Sequence, residues 1–162
     1  MRVVCPGSFD PVTFGHLDIV KRAAAQWGEV VILVTYNPNK HGLFTADERI
    51  ELIHQSLATL DDAPTNIVVD KWDKLLVEYL TQHNITAMVK GLRMVMDYEY
   101  ELPMAQMNRH LSGADTFFLM TDPKYAYVSS TLMKEVVKYG GDVNGLLPEP
   151  VVKAVLGKFD EA

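Results

Sequence analysis

Short aliphatic and β-branched runs alternate with amphipathic helical patterns along the chain, and this alternation is the strongest constraint on its fold. The runs are nearly continuous instead of polar at every second position, which is typical of parallel strands covered on both faces. We predict strands over Arg2–Cys5, Glu29–Thr35, Asn66–Asp70, Thr86–Val89 and Thr116–Met120.

Helical signals fill the segments between these strands. Thr45 and Glu48 form a capping box ahead of one predicted helix, and Gly140-Gly141 ends another over Ser129–Tyr139. A last helix is predicted over Pro148–Phe159. The alternation therefore predicts an α/β fold: a Rossmann-like, doubly wound five-stranded parallel sheet in three αβα layers with C-terminal helices, forming a single domain over residues 1–162.

Composition excludes several functional classes. The formal net charge is −6, with 15 Lys and Arg against 21 Asp and Glu, whereas binding along a nucleic-acid backbone needs a broad basic face. The longest aliphatic run, Val30–Val34, is far shorter than the roughly 20 residues of a membrane helix. Cys5 has no second cysteine to pair with, and Pro6 closes an N-terminal stretch too short for a signal sequence. We therefore expect a cytoplasmic protein with no nucleic-acid or membrane partner.

The loops that follow the predicted strands are the first place to look for a site, because doubly wound sheets bind ligands outside the carboxyl ends of their strands. After the first strand, Gly7 permits a sharp turn, Ser8 offers a hydroxyl, and Thr13 is a candidate N-cap. His16 falls in the first helical turn, beside free N–H groups that favour anions. An ordinary β–α turn contains the same residue types, so this loop alone decides little.

Three other loops add cations and hydroxyls to the same predicted edge. Lys40 follows the second strand, and the sequence Lys90-Gly91-Leu92-Arg93 follows the fourth. Arg93 can bind two phosphate oxygens at once, and Lys90 supplies a point charge. The segment Tyr125–Thr131 runs hydroxyl-rich into a helix. Each could be a solvent-exposed turn, but together they predict a polyphosphate site in an otherwise acidic protein.

Familiar alternatives to such a site lack their motifs. The sequence contains no P-loop and no Gly-x-Gly-x-x-Gly fingerprint. It contains no Gly-x-Ser-x-Gly elbow. His41, His54, His83 and His110 lack the spacing of metal ligands.

Two motifs resemble the signatures of the nucleotidylyltransferase superfamily. Thr13-Phe14-Gly15-His16 resembles its (His/Thr)-x-Gly-His signature, and Ser129–Lys134 resembles Ser-Ser-Thr-x-x-Arg with lysine in the last position. Pro6–Pro11, Lys90–Arg93 and Asp97–Leu102 narrow the resemblance to bacterial phosphopantetheine adenylyltransferases, in consistent order from residue 2 to about 150. That family transfers the adenylyl group of ATP to 4′-phosphopantetheine, giving dephospho-coenzyme A and pyrophosphate in the penultimate step of coenzyme A synthesis.

The resemblance implies roles for individual residues. His16, Lys40 and Arg93 would be catalytic. The phosphopantetheine-binding residues would be Ser8, Lys40, Leu76 and Lys90. The ATP-binding residues would be Ser8, Phe9, His16, Gly91, Leu92, Arg93, Glu101, Tyr125, Ala126, Tyr127, Val128, Ser129, Ser130 and Thr131.

The resemblance also implies Mg²⁺ as cofactor, bridging substrate phosphates without a protein ligand set, and a homohexameric assembly. Leu146–Leu156 offers apolar surface for contacts between subunits. Because the acceptor is itself a phosphate dianion, we expect direct in-line attack without a general base or covalent intermediate. Pro103 departs from the family pattern, and since proline disrupts regular helices we predict a kink or break near Glu99–Leu102.

Other functions stay open at this point. A sister nucleotidylyltransferase would use another phosphorylated acceptor, such as nicotinamide mononucleotide or glycerol phosphate. A nucleotide-sensing module would bind ATP without releasing pyrophosphate. A tRNA synthetase fragment shares the first signature, but this chain is too short and too acidic for one.

Overall fold

The sheet contains every predicted strand, in a parallel arrangement. The structure, a computed structural model, describes residues 1–39 and 41–160. Its strands are β1 (Arg2–Gly7), β2 (Glu29–Thr35), β3 (Ile67–Trp72), β4 (Ala87–Leu92) and β5 (Asp115–Met120). They are parallel, in the order β3-β2-β1-β4-β5. This confirms the predicted Rossmann-like doubly wound sheet.

Three of the described helices begin at capping residues found in the sequence. Thr13 and Thr45 each accept the backbone N–H of the residue three positions on, at 3.3 and 3.2 Å, and Ser129 accepts that of Leu132 at 3.1 Å. The helices are α1 (Phe14–Gln26), α2 (Ala46–Ala58), α3 (Leu76–Gln82), α4 (Val95–Ser112), α5 (Ser130–Lys138) and α6 (Glu149–Asp160).

Helices cover both faces of the sheet. On one face the strands pack against α1, α2, α5 and α6 in the larger core cluster. On the other face α3 packs in a smaller cluster. Strand β5 shows the alternation directly, since Phe117 contacts Trp27 at the end of α1 and Phe118 contacts Tyr98 of α4. The three αβα layers are therefore confirmed.

Helix α4 corrects one prediction. It continues from Val95 to Ser112 with Pro103 inside it, so the break that was one of the two predicted outcomes is wrong, while the kink stays a prediction. Pro103 has no N–H to donate to the carbonyl of Glu99. Both residues are exposed and α4 contains no buried residue, so water can satisfy the carbonyl that the proline leaves without a partner.

The C-terminal segment corrects a second prediction, that Leu146–Leu156 offers apolar surface for contacts between subunits. Leu147, Val151 and Val155 are buried in the larger core cluster, because α6 packs against α2 and α5. Leu156 is the exception, at 42% exposed. Most of the apolar side chains expected to serve contacts between subunits are therefore part of this chain's own core. No described helix has the length and apolar character needed to cross a membrane.

Strands β1 and β4 meet at the point where the strand order reverses. Strand β1 pairs with β2 along its whole length, from Arg2 to Gly7. Its ladder with β4, whose residues are all described, joins Val4 to Met88 alone. Pro6, which has no N–H to donate, follows two residues later. A crevice opens between the carboxyl ends of these strands, where doubly wound folds bind ligands.

Candidate active site

A hollow of about 610 Å³ lies over the carboxyl ends of β1 and β4. The loops that follow β1, β4 and β5 contribute to its wall, together with the first turn of α1 and one face of α4. Three of the four predicted loops therefore meet in one cavity. The predicted site residues in its lining are Ser8, Phe9, His16, Lys90, Gly91, Arg93, Glu101, Tyr125, Val128, Ser129 and Ser130.

Five further predicted residues, all within the described part of the chain, do not line this hollow. Leu92 at the end of β4, Ala126 and Tyr127 in the loop before α5, and Thr131 in its first turn are absent from the wall. Leu76 begins α3 and packs against the smaller core cluster on the opposite face of the sheet. The predicted site residue Lys40 lies outside the described residues.

The imidazole of His16 is oriented by the cap of its own helix. Its Nδ1 accepts the backbone N–H of Thr13 at 3.0 Å, and the Thr13 hydroxyl lies 3.2 Å from the same nitrogen. The hydroxyl also accepts the His16 N–H, which completes a reciprocal capping box. Because Nδ1 is an acceptor, the proton of the neutral ring sits on Nε2. His16 therefore holds an N–H donor available to the hollow.

The charge state of His16 follows from its surroundings. Burial, together with the nearby positive charge of Arg93, lowers the pKa of His16 from 6.5 to about 4. The ring is therefore neutral near pH 7. It can donate a hydrogen bond to a phosphate oxygen, but it carries no proton suited to acid catalysis at that pH.

Phe9 supports the imidazole from the side. Its ring meets that of His16 edge to face, with centroids 5.1 Å apart. Phe9 is buried and has a φ of 47°, a left-handed conformation that is strained for a bulky residue. Gly7 makes room for this turn, since a Cβ there would lie 3.1 Å from the Phe9 ring. The surrounding contacts must therefore hold the backbone at Phe9 in place.

Arg93 forms a bidentate ion pair with Asp97, four residues further along the chain. Its Nε and Nη2 donate to the two oxygens of Asp97 at 3.2 and 3.1 Å, and Nη1 donates to the carbonyl of Val128 at 3.1 Å. Burial raises the pKa of Asp97, but the hydrogen bonds from Arg93 outweigh it and leave the pKa below its usual range. Asp97 thus orients the guanidinium of Arg93, which has further N–H donors available for a ligand.

Lys90 and Glu101 form a second pair in the wall. Their Nζ and Oε2 atoms lie 2.9 Å apart, and both side chains are mostly buried. Asp97 and Glu101 are four residues apart on α4 and so share the face that lines the hollow. Among the described residues, the wall therefore holds two cations, each balanced by a carboxylate, and a substrate anion would compete with those carboxylates for them.

Cys5 also borders the hollow. Burial raises the pKa of its thiol to about 12, so it is not a thiolate at neutral pH. Cys5 packs in the larger core cluster.

Sequence reasoning missed a buried charged network beneath the hollow. Asp10 and Arg49 are 8% and 7% exposed, and Arg49 Nε lies 3.5 Å from Asp10 Oδ1. Lys134 Nζ lies 3.5 Å from Asp10 Oδ2. Thr45 marks the start of α2, but no sequence pattern shows that Arg49 in its first turn points inward.

The described residues do not form a metal centre of their own. Within them, no group of three or more His, Cys, Asp and Glu side chains could hold a metal ion. Asp97 and Glu101, the carboxylates of the α4 face, already bind cations of the chain.

Comparison with known structures supports the fold. The chain superposes on a putative nicotinate-nucleotide adenylyltransferase from Vibrio parahaemolyticus with a TM-score of 0.71 and 12% identity, covering 99% of this chain and 96% of that one. It superposes on a nicotinic acid mononucleotide adenylyltransferase of Plasmodium falciparum complexed with NaAD with a TM-score of 0.68 and 13% identity, covering 96% and 94%.

Sequence comparison is more specific. Residues 4–136 match the cytidylyltransferase-like family. Relatives named phosphopantetheine adenylyltransferase are 67% identical in Corynebacterium glutamicum strain R over 98% of both chains, and 65% identical in Corynebacterium efficiens over 99% of both. One from Frankia casuarinae is 53% identical over 94% of both chains. The chain therefore belongs to the phosphopantetheine adenylyltransferases, a family of enzymes within the cytidylyltransferase-like nucleotidyltransferases.

Proposed function

We propose that this enzyme transfers the adenylyl group of ATP to 4′-phosphopantetheine, releasing pyrophosphate and forming dephospho-coenzyme A. The observation that carries the proposal is the grouping of His16, Lys90 and Arg93 in the wall of one hollow. Its support from relatives is their shared name at 53–67% identity.

The reaction requires mainly that the negative charges of the two substrates are neutralised and that their reacting groups are aligned. The acceptor phosphate is already a nucleophile near pH 7, so no general base and no covalent intermediate are needed. The barrier is the approach of one anion to another, in line with the departing pyrophosphate. Lys90 and Lys40 would bind the acceptor phosphate, and Arg93 would neutralise charge on the triphosphate. Ser8 would bind both substrates.

His16 would act at the α-phosphate. Its Nε2–H, set by the Thr13 contact to Nδ1, can donate to the oxygen on which charge shifts in the transition state. Because the ring is neutral at pH 7, it needs no proton transfer to do so.

The nucleotide would lie against β4 and the loop before α5. Gly91 suits this position, because the backbone of β4 passes so close to Ile19 that a Cβ would lie 2.8 Å from its Cγ1. Glu101 would meet the ribose after exchanging its contact with Lys90 for one with ATP. The N-terminal turn of α5, with Ser129 and Ser130, would receive the β- and γ-phosphates.

Mg²⁺ would enter as a complex with ATP. When bound to the triphosphate it would reduce the charge that the protein must neutralise. No residue of this chain is assigned as its ligand.

We further propose a homohexamer, as the family resemblance implies, assembled partly through α4. That helix has no buried residue, and its exposed apolar side chains include Val95 at 75% and Met96 at 72%. Neighbouring Met120 at the end of β5 is 61% exposed. A patch of this kind usually marks an interface, and sedimentation equilibrium would test the assembly directly.

The deciding experiment is incubation with ATP, Mg²⁺ and 4′-phosphopantetheine, with the product identified by mass and pyrophosphate measured. Parallel reactions with nicotinamide mononucleotide and glycerol phosphate test the sister activities. ATP binding without pyrophosphate in any reaction would instead favour a nucleotide-binding module. Dephospho-coenzyme A from the first reaction alone is the expected result.

The role of His16 is tested with His16→Ala. Removing a donor aimed at developing charge should lower kcat by about 10²–10³-fold with little change in KM. Pyrophosphate release under saturating substrates measures this. An unchanged kcat would remove His16 from the chemistry.

A further inference from the structure

Asp10 and Arg49 form a buried ion pair for which the proposed chemistry has no use. Replacing such a pair by apolar residues often costs little, so buried charges are weak evidence for a purely stabilising role. A second reason for their presence should lie in what they hold, and apart from Lys134 of α5 the contacts of this pair are with two loops.

The first loop is the segment between β2 and α2. Asp10 accepts the backbone N–H groups of Leu43 and Phe44, each at 3.0 Å, and Arg49 Nε donates to the Phe44 carbonyl at 2.9 Å. Gly42 lies so close to the pair that an added Cβ would collide with the guanidinium of Arg49 and lie 2.5 Å from Asp10 Oδ2. The backbone of residues 42–44 therefore packs directly against the Asp10–Arg49 pair and forms hydrogen bonds with it.

The second loop carries the first signature of the site. Arg49 Nη1 donates to the carbonyl of Ser8 at 3.2 Å. The Ser8 carbonyl and the Phe9 N–H belong to one planar trans peptide, so they point in opposite directions. Arg49 therefore turns the Phe9 N–H away from itself, and both Ser8 and Phe9 line the hollow.

The hydrogen bond from Arg49 to the Ser8 carbonyl matters because the backbone at Phe9 is strained. A φ of 47° on a buried phenylalanine persists only where the surroundings over-determine it. The hydrogen bond from Arg49 restrains the same peptide. A shift of that peptide by a single ångström would misdirect any donor that it presents to a phosphate.

We propose that Arg49, held by Asp10, is a positioning residue of the active site, which aims the Phe9 N–H at a phosphate oxygen of ATP. The inference rests on the proposed function. Arg49 touches no substrate, and it acts through the Ser8–Phe9 peptide. Its fork geometry is essential, because one group must serve the Asp10 carboxylate and the carbonyls of Ser8 and Phe44 together.

The first test uses the unmodified protein. Calorimetry measures ATP binding, and amide hydrogen exchange is followed at Phe9 with and without ATP. We expect ATP to slow exchange at Phe9 at least tenfold. ATP that binds and leaves exchange at Phe9 unchanged overturns the inference while the proposed function stands. Absence of ATP binding overturns the proposed function and the inference with it.

The second test compares Arg49→Lys with Leu52→Ala, a core change on the same helix that removes no polar contact to either loop. Both are assayed at a temperature where circular dichroism shows full folding, with Ile53→Val as a milder control. We expect Arg49→Lys to lower kcat/KM for ATP at least tenfold and to lose the ATP protection at Phe9. Leu52→Ala should stay within twofold. Equal losses in the two variants, or an Arg49→Lys variant within twofold, would show that Arg49 only stabilises the fold.

Discussion

The neutral His16, half-buried in the wall of the hollow, makes the stability of this protein depend on pH in a defined window. Its pKa is about 4 in the folded chain, against 6.5 for the ordinary group. Between these values the unfolded chain takes up a proton that the folded chain refuses, so stability falls as the pH falls. The contribution is complete above pH 6.5 and is lost by about pH 4.

The size of the effect follows from the two values. Each pH unit between them corresponds to 1.36 kcal/mol, so His16 should account for about 3 kcal/mol of lost stability across the window. That is a large share of the 5–15 kcal/mol by which native proteins are usually stable. The carboxyl groups of Asp97 and Glu48 also have lowered pKa values. The stability that they contribute to the folded chain is therefore lost in acid as well.

Comparison with His16→Gln separates these contributions, because every other titrating group is shared. Urea unfolding of both proteins at steps between pH 7 and pH 4 should show the wild type losing about 3 kcal/mol more than the variant. An NMR titration of the His16 ring supplies the pKa directly. Parallel stability curves, or a ring that titrates near 6.5, would refute the lowered pKa of His16 in the folded chain.

Three other predictions concern the anchors of the site. Asp97→Asn should raise KM for ATP about tenfold, because the amide cannot accept both hydrogen bonds from Arg93; an unchanged KM in the pyrophosphate assay would show that Arg93 is aimed by other contacts. Gly42→Ala should lower the free energy of unfolding by about 1–3 kcal/mol, since its Cβ meets the Asp10–Arg49 pair; denaturant midpoints equal to wild type would contradict this. Lys40→Ala should weaken phosphopantetheine binding as well as turnover, and calorimetry showing a loss of stability alone would remove its proposed role.

The fold was predictable because its signals are local. Continuous apolar strands, capping boxes and turn glycines each specify an element without knowledge of its neighbours. The predicted strand Arg2–Cys5 ended two residues early, because Pro6 and Gly7 usually end strands. The structure extends β1 through both, where β2 continues to pair.

The site was predictable in part. Where the carboxyl ends of parallel strands meet follows from topology, so the gathering of His16, Lys90 and Arg93 needed no side-chain detail. The partners of those residues could not be foreseen. Lys90 pairs with Glu101, and Arg49 is buried beneath the Ser8 peptide. Such contacts join residues distant in sequence, and the choice between an inward and an outward arginine depends on packing.

The ladder between β1 and β4 holds a single residue pair, Val4 and Met88, whereas the ladders on either side hold six pairs each. In most open sheets the central strands are the last to release their amide protons. Here the two central strands share the shortest ladder, and α1, which contacts both β2 and β4, also joins the two sides of the sheet. The spacing of β1 and β4 at the cleft therefore depends on helix packing as well as on strand pairing.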